Sequence, residues 1–188
     1  RELEEVIKRI EKTVTDNERA NKESVDRIRE IVDRLKKEIE ESVRRMRDSV
    51  KKLEEEIRRR GASEEVKETV ERLMRELEKH IRESEREIEK LAREAEEHIK
   101  RSNERVKKSV KELRDLLETV KRLKERGNEE ELIRRLEKVL KEHHKRVEEI
   151  VKENEDVARD LDRRIKEIVE RNRKVLEDLR RRIKELKK

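Results

Sequence analysis

The chain has 188 residues, 59% of them charged, and no Pro, Cys, Phe, Trp or Tyr, which leaves disorder or continuous helix as the admissible classes. Its 58 Lys and Arg nearly cancel its 52 Asp and Glu, leaving a net charge of only +6, and its apolar residues recur at helical spacing, so helix is selected. Without cysteine there is no disulfide framework or thiolate metal site, and no apolar run reaches bilayer length or forms a leader, so a soluble protein is expected, cytoplasmic on recombinant expression and without a membrane partner.

The first predicted helix covers residues 2–60 and stops in "EEIRRRGASEEV". There Arg58, Arg59 and Arg60 fill a last turn, Gly61 suits a left-handed backbone, and Ser63 caps the next helix ahead of Glu64 and Glu65. Its exposed face places Glu4 before Lys8, Glu5 before Arg9, Glu40 before Arg44 and Glu54 before Arg58, the favourable four-residue order. The second helix covers 64–126 and stops in "LKERGNEEEL", with Gly127 as terminator, Asn128 as N-cap and Glu131 in the manner of a capping box. The third covers 129–187. Turns this short make neighbouring helices antiparallel, so the expected fold is all-α: a long, nearly straight, up-down-up three-helix bundle forming one domain over 1–188.

The apolar stripe repeats at eighteen residues: Val14, Val32 and Val50; Ile10, Ile28 and Met46; Leu161 and Leu179; Ile165 and Ile183. Eighteen residues are five turns of about 3.6, so the stripe keeps one face without supercoiling and little superhelical twist is expected. Each stripe spans an arc of roughly 120–140°, wide enough to meet two neighbours in a closed bundle. A monomer that requires no partner follows, while the edges Val25, Met74, Val110 and Val175 leave self-association as the alternative.

Polar residues interrupt the stripes at the same period. His80-Ile81 with Ser84 recurs as His98-Ile99 with Ser102, Asn154 recurs as Asn172, and Ser24 as Ser42. Reflecting the helices about their turns groups these into two layers. One is Ser42, His80, Ser84 and Asn172; the other is Ser24, His98, Ser102 and Asn154. A third, less regular cluster joins Thr13 and Asn17 with Ser109 and His143, near Asn21. Buried amides and imidazoles must pair, so such layers fix register at some expense of stability.

Other chemistry fits poorly. Helical bundles hold metals with inward Glu and Glu-x-x-His, yet Leu77 and Ala95 stand three residues before His80 and His98. The adjacent His143 and His144 point about 100° apart, which opposes chelation on one face, so no metal or other cofactor is expected. Carboxylates lie on solvated faces, and Ser84 near His80 lacks an oxyanion hole and an orienting acid, so neither an enzyme nor a small-molecule substrate is expected. No stacking aromatics or basic arm support nucleic-acid binding, although Arg180, Arg181 and Arg182 mark the most basic stretch.

The two Gly-polar turns, equal helices, eighteen-residue repeat, Glu/Lys/Arg surface and repeated polar layers resemble a de novo designed helical bundle, of the parametric kind with buried hydrogen-bond networks. The resemblance covers the whole chain and implies a scaffold without a biological role, or alternatively a pH-responsive or interaction module built on His80, His98 and His143. In the pH-responsive case, protonation of a buried imidazole is expected to break its layer, whereas a wet imidazole at a stripe edge is expected to be indifferent to pH.

Overall fold

The structure, a computed structural model, describes residues 2–123 and 128–186. Three helices make up nearly all of it: α1 (Glu2–Arg59), α2 (Glu64–Leu123) and α3 (Glu129–Leu186). Packed against one another without a strand among the described residues, they form an all-α three-helix bundle. The expected terminator Gly127 and the expected ends of the second and third helices at 126 and 187 lie outside the described residues.

Each helix end that can be seen has a chemical cause. Gly61 adopts φ +59°, the left-handed conformation that glycine enters without a Cβ clash, and this stops α1. The Ser63 hydroxyl then accepts from the Val66 N–H at 3.4 Å, and the Asn128 side-chain oxygen accepts from the Glu130 N–H at 3.1 Å. Both use a short polar side chain to satisfy an amide that has no carbonyl one turn earlier. The reciprocal half of a capping box is not made, because the Glu131 carboxylate turns to Arg135 at 3.5 Å.

Contacts group the chain into two units, each containing a segment of all three helices: Arg1–Glu30 with Glu94–Arg159, and Ile31–Arg93 with Asp160–Lys188. In the first unit, Leu3, Val6, Ile7, Ile10 and Val14 of α1 pack with Val106, Val110, Leu113, Leu117 and Val120 of α2 and with Leu136 and Ile150 of α3. In the second, Leu35, Val43 and Met46 of α1, Leu73, Leu77 and Ile81 of α2, and Leu161, Ile165, Ile168 and Ile183 of α3 are all buried. All of these side chains are aliphatic except the thioether of Met46, so burial rests on many small contacts without an aromatic anchor.

Cross-helix pairs show the directions within each unit. Lys121 pairs with Glu11 and Arg114 with Glu18, so α2 numbering falls as α1 numbering rises, and the pair is antiparallel. In the second unit Arg47 of α1 meets both Glu78 and Glu85 of α2. Between α1 and α3 the numbering rises together within each unit, Arg9 to Glu137 and Asn21 to Asn154 in the first and Arg34 to Asp162 and Ser49 to Arg180 in the second, the mark of parallel neighbours. Arg9 thus reaches across to α3 instead of back to Glu5. Two of the expected outward edges are also inward: Val25 and Val110 are buried, while Met74 and Val175 are half-buried.

Candidate functional site

A buried primary amide presents two donors and an oxygen with two lone pairs, and all four positions need partners. Asn154 of α3, fully buried, fills all of them. Its Oδ1 accepts from the Ser102 hydroxyl at 2.7 Å and from His98 Nε2 at 2.8 Å, both on α2. Its Nδ2 donates to Ser24 Oγ at 3.0 Å and to Asn21 Oδ1 at 3.2 Å, both on α1. An amide oxygen only accepts, so His98 Nε2 carries a hydrogen, and neutral His98 is the Nε2–H tautomer.

The network continues outward. Ser24 donates to the Asn21 backbone carbonyl at 2.8 Å, and the Asn21 amide donates to Asn103 Oδ1 at 3.0 Å. Asn103 is exposed and lies with Asn21 in a groove of about 650 Å³ between α1 and α2, whose lining includes Val25, Val106 and Val110. The layer therefore spans from a half-buried imidazole through the core to solvent. Hydrogen bonds from one side chain of α3 to both other helices define the register of all three, because a slip of any helix strands at least one buried group.

A second polar cluster in the same unit is less complete. Ser109 Oγ of α2 lies 2.6 Å from His143 Nδ1 of α3, both buried. His143 Nε2 and Asn17 Nδ2 have no hydrogen-bond partner. Desolvation holds the His143 imidazole below its ordinary pKa, and the neighbouring His144 and Arg146 push in the same direction. Asn17 spends its carbonyl oxygen on the exposed His144 at 3.3 Å. Thr13 stays apart from the cluster, donating to the Arg9 carbonyl of its own helix at 2.8 Å.

In the second unit, only part of the expected layer assembles. Ser84 donates to Asn172 Oδ1 at 2.8 Å, and Asn172 Nδ2 is left buried without a partner. Ser42 is half-buried and makes no hydrogen bond to either residue. His80 points out of the core with 46% of its side chain exposed and its Nδ1 3.8 Å from Glu83. Free imidazole hydration at a stripe edge outweighs one hydrogen bond in the core, since the ring can reach water by a single rotation.

Two participants lie outside the polar layers read from the sequence, Asn103 and His144. Asn103 sits beside Ser102 but off the apolar arc, so spacing gives it no mark; His144 is likewise on the solvent side of His143. Among the described residues there is no group of three or more His, Asp or Glu side chains arranged to hold a metal ion, and no helix long and apolar enough to cross a membrane. No family model, curated protein or solved structure matches the chain.

Proposed function

We propose that this chain is a de novo designed structural scaffold without a biochemical activity of its own, and that its buried polar layers serve to fix the register of three aliphatic helices. The single observation that carries this reading is Asn154, whose amide makes four hydrogen bonds to side chains of both other helices. Aliphatic packing alone is tolerant of slippage, since one Leu or Ile substitutes for another along a stripe, whereas a saturated amide is satisfied in one alignment only. The eighteen-residue repeat, the paired polar caps and the absence of any recognisable relative support the same reading.

The test is size-exclusion chromatography with light scattering on the intact chain at pH 7.5, followed by the same measurement on Asn154→Leu. A mass near 23.1 kDa for the native chain is expected. The Leu variant is expected to lose a single defined state, seen as a broader amide spectrum by NMR. A native mass that is a multiple of this value would overturn the monomeric scaffold and make the layers determinants of a subunit interface.

A further inference from the structure

Two histidine sites in the same unit differ in their surroundings, a half-buried His98 whose bonded nitrogen donates to an amide oxygen and a buried His143 whose Nε2 has no partner, and this difference has a consequence under acid. We propose that acid sensitivity in this unit resides in the Ser109–His143 pair, and that the Asn154 layer holding His98 is indifferent to protonation. The inference rests on the reading of these layers as structural elements.

At His98 the nitrogen that matters already carries its hydrogen. Nε2 donates to Asn154 Oδ1 at 2.8 Å in the neutral ring, and a second proton goes to Nδ1. The bond to Asn154 is then retained, now from a charged donor. All four bonds of Asn154 survive the change. The expectation that protonation breaks a layer concerns a fully buried imidazole, whereas His98 is half-buried and its bonded nitrogen keeps its hydrogen.

At His143 the proton has nowhere to go. Nδ1 is engaged with Ser109 at 2.6 Å, and the ring is 2% exposed. The doubly protonated ring presents Nε2–H to a site where Nε2 has no partner. The other unpartnered atom in the cluster, Asn17 Nδ2, is itself a donor and offers no lone pair. Surrounding charge gives no relief. On α3 itself, His144 and Arg146 oppose a further positive charge. On α2, Glu112 is bound to Arg146 at 3.3 Å, and Arg105 to Glu153 at 2.8 Å. On α1, Thr13 and Asn17 are neutral, and Glu18 is engaged by Arg114 at 3.2 Å.

The sign follows by linkage. His143 has its folded pKa depressed, so the unfolded chain binds the extra proton first. The stability it contributes is fully present above the unfolded value of about 6.5 and is lost as pH falls from there through the folded pKa.

The test combines ring-nitrogen NMR of the intact chain with urea unfolding at pH 7.5 and pH 5.0 for the native chain, His98→Gln and His143→Gln. The window lies above most carboxylate titration. The expected results are an Nε2–H tautomer at His98 in the neutral chain, a lower urea midpoint at pH 5.0 than at 7.5 for the native chain and for His98→Gln, and loss of that shift in His143→Gln. An Nδ1–H tautomer at His98, or an acid shift that persists in His143→Gln and vanishes in His98→Gln, overturns the inference. If His143→Gln does not fold, the titration of the native His143 ring decides: a midpoint below that of the unfolded chain supports the inference, and one at or above it overturns it. Failure of the structural reading is separate and shows as midpoints at pH 7.5 that neither variant changes.

Discussion

Asn154 and Asn172 stand eighteen residues apart on α3 and carry the same buried amide, yet Asn154 makes four hydrogen bonds and Asn172 makes one. The difference originates in their neighbours. Where Asn154 meets Asn21, the position eighteen residues further along α1 is Ile39, which has nothing to accept with. Where the Asn154 layer continues to Asn103, the corresponding residue on α2 is Glu85, whose carboxylate turns to Arg47 at 3.6 Å. Of the three bonds that Asn172 lacks, one is missing because Asn21 is not repeated, and two because the repeated His80 and Ser42 do not turn to it.

This asymmetry predicts opposite outcomes for one substitution. Asn154→Leu leaves Asn21, His98 and Ser102 short of partners and is expected to cost about 1–3 kcal/mol. Asn172→Leu removes an orphaned donor, and the Ser84 hydroxyl can turn its one hydrogen to the His80 carbonyl, already within 3.0 Å, so unchanged or higher stability is expected. Chemical unfolding of the two variants side by side measures the contrast; equal losses would show that the extra bonds of Asn154 contribute nothing.

The helices and their antiparallel order were legible because apolar spacing and turn chemistry are properties of the backbone and Cβ positions, which sequence period fixes directly. Side-chain direction is a different matter. A helical wheel places the Cβ of His80 at the stripe edge, and from there the ring chooses between Asn172 and water by rotating about one bond; the structure has it exposed beside Glu83. Thr13 illustrates a second limit: a carbonyl four residues back is always within reach of a helical threonine, so Arg9 captures a hydroxyl that spacing alone assigns to a neighbour. Asn21 and Asn103 show a third, since the outward continuation of a network leaves the apolar arc that made its centre recognisable.

Gly61 offers a test of the turn. Its φ of +59° is strained for any residue with a Cβ, while the space around an added methyl is open. Gly61→Ala is therefore expected to cost about 1–2 kcal/mol through backbone strain alone, with no repacking. A thermal midpoint equal to that of the native chain would mean that the turn relaxes to another conformation.

The two N-caps should differ in strength. Ser63 accepts from Val66 at 3.4 Å, near the limit of a useful bond, and Asn128 accepts from Glu130 at 3.1 Å. Replacement by Ala is expected to cost about 0.5 kcal/mol at Ser63 and about 1 kcal/mol at Asn128, within the usual range for caps. Paired unfolding curves decide, and a larger loss at Ser63 would contradict the geometry.

On the surface, Arg173 binds Glu170 on one side and Glu177 on the other. The hydrogen bond from Arg173 holds the Glu170 carboxyl below its ordinary pKa. A depressed carboxylate contributes stability above its unfolded pKa and loses it as pH falls through the folded value. Both side chains are exposed, so this contribution is expected to be too small to move the unfolding midpoint. Arg173→Gln should return the Glu170 titration toward its ordinary value by carboxyl NMR without a change in unfolding, and a Glu170 midpoint that does not move would show that Arg173 is not the cause.

Ser109 and His143 test whether a polar pair in this core serves stability or alignment. Ser109→Ala strips the only partner from the His143 ring, leaving both nitrogens buried without one, and a loss of about 1–3 kcal/mol is expected at pH 7.5. Adding His143→Leu removes the stranded imidazole as well, and an aliphatic pair of similar volume joins a core in which Val110, Leu113 and Val147 are already buried. The double variant should therefore recover most or all of what the single one lost, a clear departure from additivity. If the pair existed to stabilise the fold, removing both members would be the worst of the combinations. Its value would instead appear as uniqueness: spin labels placed on α2 and α3 within this unit are expected to give one sharp distance in the native chain and a broader distribution in the double variant, and an equally sharp distribution would show that the aliphatic stripe sets the register unaided.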